Sequence, residues 1–283
     1  MLLTAGCNKT EDPNKELIVK GDANVILIAG QSNASGNTVW SYLEQKSPDV
    51  YNKFINGNSK VLVSYSNSFE RHNEYFEPCK FGMGDSDELF GPEIGIADIF
   101  SNDDKTTYII KYAVGATQLD GQWLDGNGKR YKLYNKAIKW FNNKIKYLRK
   151  NGVKPHVAGM FWMQGESDSY QPQNLVFERN HTNLVNYFRE DLKRYCTNDL
   201  NFVDAFISSK TIWWDHQTVN NVKEKVSKLN PHNFLIKTNG EDETALNLDV
   251  KSDCNEGDDM AHYSSLSELE LGRRAGQIIK ENM

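Results

Sequence analysis

The stretch Val25-Ile26-Leu27-Ile28-Ala29-Gly30-Gln31-Ser32-Asn33 decides how this chain is read. Five consecutive apolar residues leave no polar face, which suits a strand covered on both sides, as in a parallel sheet flanked by helices. Gly30 ends the run, and the polar residues beyond it suit a tight strand-to-helix turn. A serine on such a turn projects its hydroxyl over the sheet edge, where backbone N–H groups can face an anion. Taken alone, Gly30-Gln31-Ser32-Asn33 reads equally well as an ordinary turn of turn-forming residues.

Working outward, further apolar runs end in the same way. Thr107 to Val114 stops at Gly115, Val157 to Met163 at Gln164-Gly165, and Phe202 to Ile207 and Phe234 to Ile236 follow. Between them lie stripes of helical spacing. Tyr134, Ile138, Phe141, Ile145 and Leu148 fall three and four apart, with Gly152 as a C-terminal stop. Leu184 to Tyr195 and Val219 to Leu229 repeat the pattern, and Leu266 to Ile279 close the chain. Strands alternating with helices predict an α/β fold, a three-layer α/β/α sandwich around a central parallel sheet of about five strands. Ligands in such folds sit beyond the carboxyl ends of the strands, so the chemistry is expected just after each apolar run. Residues 36–90, rich in Asn, Ser and Gly, read as long loops on the rim of that site.

The composition is compatible with this. At 283 residues and 39% hydrophobic, the chain can bury one large core or two small ones. No repeat or linker divides residues 17–283, so a single domain is expected there. With 33 basic and 38 acidic side chains the net charge is −5, which argues against a dedicated nucleic-acid binder. No apolar run reaches the length of a transmembrane helix. Four cysteines do not make a disulfide scaffold, and no C-x-x-C pair suggests zinc. Cys79, Cys196 and Cys254 allow at most one intramolecular disulfide. Leu2-Leu3-Thr4-Ala5-Gly6-Cys7 ends like a bacterial lipobox, and Asn8 to Lys15 resemble a polar tether. Residues 1–16 are therefore read as a truncated lipoprotein-signal-like segment, with a lipid anchor at Cys7 and an extracytoplasmic location as the expectation. A frayed terminus is the alternative, because Thr4 is unusual there and only six residues precede Cys7.

Near the other end, Asp259-Met260-Ala261-His262 places a carboxylate three residues before a histidine. On a helical turn these positions share a face, so Asp259 can accept from one ring nitrogen and leave the other free for a substrate proton. Asp215-His216 is a weaker rival, because adjacent residues diverge. The other histidines are expected to be structural. Gly115 could offer a backbone N–H, and Gln164 a side-chain amide, to an oxyanion. The acidic group Asp253, Glu256, Asp258 and Asp259 lacks the pattern of a calcium loop and is read as a solvated loop, with no metal. Trp40, Trp123, Trp213 and Trp214 suit sugar stacking or plain packing.

Together, Gly30-Gln31-Ser32-Asn33, Gly91-Pro92-Glu93, Gly115, Gln164-Gly165-Glu166-Ser167-Asp168 and Asp259-x-x-His262 resemble the ordered blocks of the SGNH hydrolases. They are most similar to the branch holding sialate O-acetylesterases and carbohydrate esterase family 6, which includes acetylxylan esterases. The resemblance spans residues 25 to about 265. It implies a cofactor-independent serine esterase removing acetyl groups from a carbohydrate. Ser32 would be the nucleophile, His262 the base and Asp259 its orienting acid, with Ser32, Gly115 and Gln164 forming the oxyanion hole. Gln31, Asn33, Glu93 and Glu166 would support these groups. Ala116 departs from the pattern, where a second glycine is frequent. Two other readings stay open: an ordinary α/β-hydrolase esterase or lipase, and a sugar-binding protein without activity.

Overall fold

A computed structural model describes residues 12–210 and 212–283. Cys7 and residues 8–11 of the tether reading lie outside the described residues. The first strand, β1 (Gly21–Gly30), is the sequence run read above, and Val25 to Ala29 are fully buried. It lies at the centre of a seven-stranded sheet. The other strands are β2 (Asn58–Ser66), β3 (Glu77–Cys79), β4 (Thr107–Ala113), β5 (Val153–Met163), β6 (Phe202–Ala205) and β7 (Asn233–Ile236), in the spatial order β3-β2-β4-β1-β5-β6-β7. Six strands run parallel, and only β3 pairs antiparallel, with β2.

All five expected strands are present, but the sheet is wider than expected at the edge beyond β4. The additional strands come from residues 36–90, which therefore are not only loops. β2 hides its signal because Asn58, Ser59 and Lys60 open it and only Val61-Leu62-Val63 is continuously apolar. Short helices, among them α1 (Ser32–Ser35) and α2 (Pro48–Phe54), also lie before its start.

Helices cover both faces. On one face lie α4 (Lys132–Lys150) and α5 (Phe177–Leu192), where Phe188 packs on Trp162 of β5 and on Tyr134 and Phe141 of α4. Beside them α6 (His216–Ser227) packs on β6 and β7. The opposite face carries α3 (Pro92–Phe100) and α7 (Ser265–Glu281). These two helices touch backbone to backbone: a Cβ at Gly272 would sit 2.4 Å from the Pro92 carbonyl oxygen. The close contact draws the loop before α7, which carries His262, toward the end of β1. No described helix is long and apolar enough to cross a membrane.

Register places the site. Gly30 pairs with Ala113 on one side and with Met163 on the other, so β1, β4 and β5 end level. The residues that follow them, Ser32, Gly115 and Gln164, therefore emerge side by side where the direction of the crossovers reverses. Gly30 holds φ +143°, and a Cβ there would fall 1.9 Å from the Met163 carbonyl oxygen. Only glycine lets the chain turn this tightly out of the sheet.

Candidate active site

Ser32 opens α1, its side chain partly exposed at the sheet edge. The Gly115 backbone lies against it: a Cβ at Gly115 would be 3.5 Å from the Ser32 Cβ. Asn33, the next residue, reaches two ways, its Nδ2 donating to Glu166 Oε1 (2.8 Å) and to the Ala261 carbonyl (3.3 Å). Ala261 immediately precedes His262, so this amide ties the serine turn to the histidine loop across 228 residues of sequence. Thr38 Oγ1 adds a second tie, donating to the Tyr263 carbonyl at 2.9 Å.

On that loop His262 Nδ1 lies 2.8 Å from Asp259 Oδ2. The pair was expected on a helical turn, but residues 259–262 form an irregular bend. Their approach is enforced differently: Asp259 Oδ1 accepts the backbone N–H groups of Ala261 (2.8 Å) and His262 (3.1 Å), an Asx turn that wraps the loop around its own carboxylate. Lys251 Nζ also donates to Asp259 Oδ2, at 2.9 Å. Partial burial pushes this carboxyl up, but the bonds from His262 and Lys251 outweigh it and hold Asp259 well below the usual carboxylate range. It is therefore a fixed anion that keeps Nδ1 protonated and leaves Nε2 as the basic nitrogen.

Glu166 takes a different place. It is fully buried, and burial raises its carboxyl despite the bond from Asn33. The Gln31 amide, with its nitrogen turned inward, donates to Glu166 Oε2 and to the Thr117 carbonyl, both at 3.1 Å. The opposite orientation would set the amide oxygen against those two acceptors, with only 3.4 Å approaches from Gly165 and Ser167 N–H in return. Gln31, Asn33 and Glu166 thus form a buried polar brace beneath the serine turn. Glu93 braces it from the other side. It makes a fully buried ion pair with Lys111 at 2.9 Å, and Lys111 Nζ also donates to the Ser35 carbonyl at 2.8 Å. Removing one partner of such a pair typically costs about 3–5 kcal/mol, because a buried charge is left alone.

Gln164, expected in the oxyanion hole, has its amide turned toward other partners in this structure. Its side chain is fully buried, and its Nε2 donates to the Thr117 carbonyl (3.0 Å) and to Asp168 Oδ2 (2.5 Å). Both amide hydrogens are engaged in this conformation, as the single Gly115 N–H is by Ser68 Oγ. Asp168 in turn accepts the Leu119 N–H, and burial pushes its carboxyl up to about 7. Gln164 therefore fastens the Gly115–Leu119 segment to β5. Gln164→Ala is expected to lower the thermal midpoint by several degrees, since buried acceptors lose donors at about 1–3 kcal/mol each. Any activity lost in cool assays should be small; a loss of 100-fold or more in kcat with an unchanged midpoint would restore the oxyanion role.

Sequence reasoning missed two residues beside the Ser32 turn and Gly115. Ser68 Oγ accepts the Gly115 N–H at 2.8 Å, and Asp85 Oδ2 accepts from Ser35 Oγ (2.9 Å) and Asn37 Nδ2 (2.7 Å). Both come from the 36–90 segment, where nothing in the local pattern marks them. Two other acidic residues near the histidine have partners: Asp253 pairs with Lys210, and Glu256 pairs with Lys46 and accepts from the first N–H of α7. Among the described residues no cluster could hold a metal ion. Asp215 caps α6, and His216 Nδ1 faces the Trp213 carbonyl, which makes that pair a structural one. Trp123 is a core residue packed on Trp162, whereas Trp40 stacks on Phe81 and Trp214 is exposed. Cys79, Cys196 and Cys254 are free thiols.

Comparisons with known proteins bear on the fold and the family. No curated protein matches the chain. Among solved structures, a protein from Arabidopsis thaliana aligns over 92% of this chain and 98% of its own, at 19% identity and a TM-score of 0.64. NanS aligns over 93% and 98%, at 13% identity and a TM-score of 0.64. A carbohydrate acetylesterase from Xanthomonas citri aligns over 91% of this chain and 56% of its own, at 14% identity and a TM-score of 0.58. These likenesses establish the fold. The family model of the carbohydrate esterases described as sialic acid-specific acetylesterases matches residues 22–280, strand β1 through helix α7, and the chain belongs to that family.

Proposed function

We propose that this carbohydrate acetylesterase works through Ser32, His262 and Asp259. The observation that carries the reading is the 2.8 Å contact between Asp259 and His262 Nδ1 on a loop that Asn33 fastens to the Ser32 turn. Ser32 Oγ attacks the acetyl carbonyl while His262 Nε2 takes its proton. The tetrahedral oxyanion is held by the N–H groups of Ser32 and Gly115, the carbonyl oxygen taking the place beside Gly115 where Ser68 Oγ now sits. The intermediate collapses, the bond from the carbonyl carbon to the sugar oxygen breaks, and His262 gives its proton to that oxygen. Water then adds to the acetyl-serine, His262 takes its proton, and acetate leaves as the proton returns to Ser32 Oγ. The residues of this path need no cofactor.

An ordinary lipase is the competing reading, and acyl chain length separates the two. Turnover of p-nitrophenyl esters should fall by about tenfold or more from acetyl to octanoyl, as expected of a site shaped for a two-carbon acyl group. Rising turnover with chain length would favour the lipase. Acetate release from a panel of acetylated glycans then ranks the sugar.

A further inference from the structure

Beside the nucleophile, residues 67–71 make a turn that is closed on itself. Asn67 N–H donates to the Arg71 carbonyl (2.7 Å) and Arg71 N–H to that of Ser68 (3.1 Å). Asn67 Nδ2 donates to the carbonyls of Met83 (2.9 Å) and Gly84 (3.0 Å), and Arg71 Nε to Gly84 (3.0 Å). At the tip, Phe69 and Glu70 hold φ of 57° and 60°, a left-handed backbone that is costly for residues with a Cβ. Strain of this kind persists only where neighbours over-determine it, and it gathers at functional sites. Phe69 is 90% exposed at this tip, although an aromatic residue of that size normally gains by burial.

Phe69 stands over an open cleft of about 570 Å³, walled by Tyr112, Leu133 and Trp140. That volume lies within the usual range of small-molecule sites, about 300–1,000 Å³. Trp140 is a fixed wall, with Lys144 4.2 Å from its ring centre and His72 edge-on to it. Ser68 connects the cleft to the reacting centre, since it lines the cleft and also accepts the Gly115 N–H. Ser68 thus stands between the cleft and Gly115, and Val114, which precedes Gly115, also lines the cleft.

We propose that this cleft is a subsite for the sugar ring next to the acetylated one, with Phe69 as its stacking platform, so that the preferred substrate is an oligosaccharide or polysaccharide rather than a free acetylated monosaccharide. This rests on Ser32 marking the site of chemistry. A pyranose ring presents an apolar C–H face to an aromatic ring and hydroxyls at its edge, where the exposed Lys136 and Lys139 amines on the cleft rim can donate to them.

Binding to the Ser32→Ala protein tests the subsite without requiring turnover. By calorimetry, partially acetylated xylotetraose should bind about tenfold or more tightly than acetylated xylose, the difference a stacked ring is expected to supply. Phe69→Ala in that background should shrink the difference to about twofold or less, and Phe69→Tyr should keep it. Equal affinity for the two sugars, no measurable binding of the tetrasaccharide, or a Phe69→Ala protein that keeps the difference would each overturn the subsite. Hydrolysis of p-nitrophenyl acetate by the wild-type and Ser32→Ala proteins is read separately, so a wrong nucleophile shows there and not in the affinity ratio.

Discussion

Ser32→Ala lowers turnover of p-nitrophenyl acetate by about 10⁴- to 10⁶-fold and leaves the fold intact. The size follows from the way such triads act: without the nucleophile no acyl-enzyme forms, and the base and oxyanion donors have nothing to act upon. The fold should survive because Ser32 is a partly exposed residue at the first position of α1, with its support supplied by others. Gln31, Asn33 and the Glu93–Lys111 pair hold the turn, and none of their bonds uses the Ser32 hydroxyl. Steady-state rates together with a thermal melt measure both halves. Activity within tenfold of wild type at an unchanged midpoint would remove Ser32 from the reaction.

The second large effect separates two carboxylates. Asp259→Asn is expected to lower kcat by up to about 10⁴-fold, because an amide can turn its NH₂ toward Nδ1 and favour the wrong tautomer of His262. The substitution keeps an oxygen for the N–H groups of Ala261 and His262, so the Asx turn should persist and the loss be chemical rather than structural. Glu166→Gln is expected to cost far less, about 10-fold or less, because Glu166 is engaged by Asn33 and Gln31 rather than by the histidine. Side-by-side kcat values decide the matter. A severe loss in Glu166→Gln with a mild one in Asp259→Asn would exchange their roles.

Much of the architecture was legible because it rests on local pattern. β1, β4 and β5 are continuous apolar runs, and α4, α5 and α7 carry clear stripes, so the alternation could be read residue by residue. β2 escaped because a strand beginning with Asn58-Ser59-Lys60 owes its place to pairing with β4, a contact distant in sequence. The Asp259–His262 pair was legible from spacing, although an Asx turn and not a helix supplies the geometry. Gln164 shows the opposite case. Its position after β5 was read correctly, but the direction of its amide is set by Asp168 and the Thr117 carbonyl, and packing of that kind leaves no trace in spacing. Ser68 and Asp85 reach Gly115 and the Ser32 turn from a segment whose composition reads as loop, and only the folded sheet edge brings them there.

The central claim is that an acetyl group passes through the Ser32 hydroxyl, and trapping that intermediate tests it most directly. Mixing enzyme with p-nitrophenyl acetate, quenching in acid within milliseconds and mapping peptides by mass spectrometry should find one added acetyl group on the peptide containing Ser32. The signal should be absent from the Ser32→Ala protein and should accumulate when the base is weakened in Asp259→Asn. Acetylation of a different residue, or turnover by wild-type enzyme with no acetyl on Ser32 at any quench time, would contradict the account.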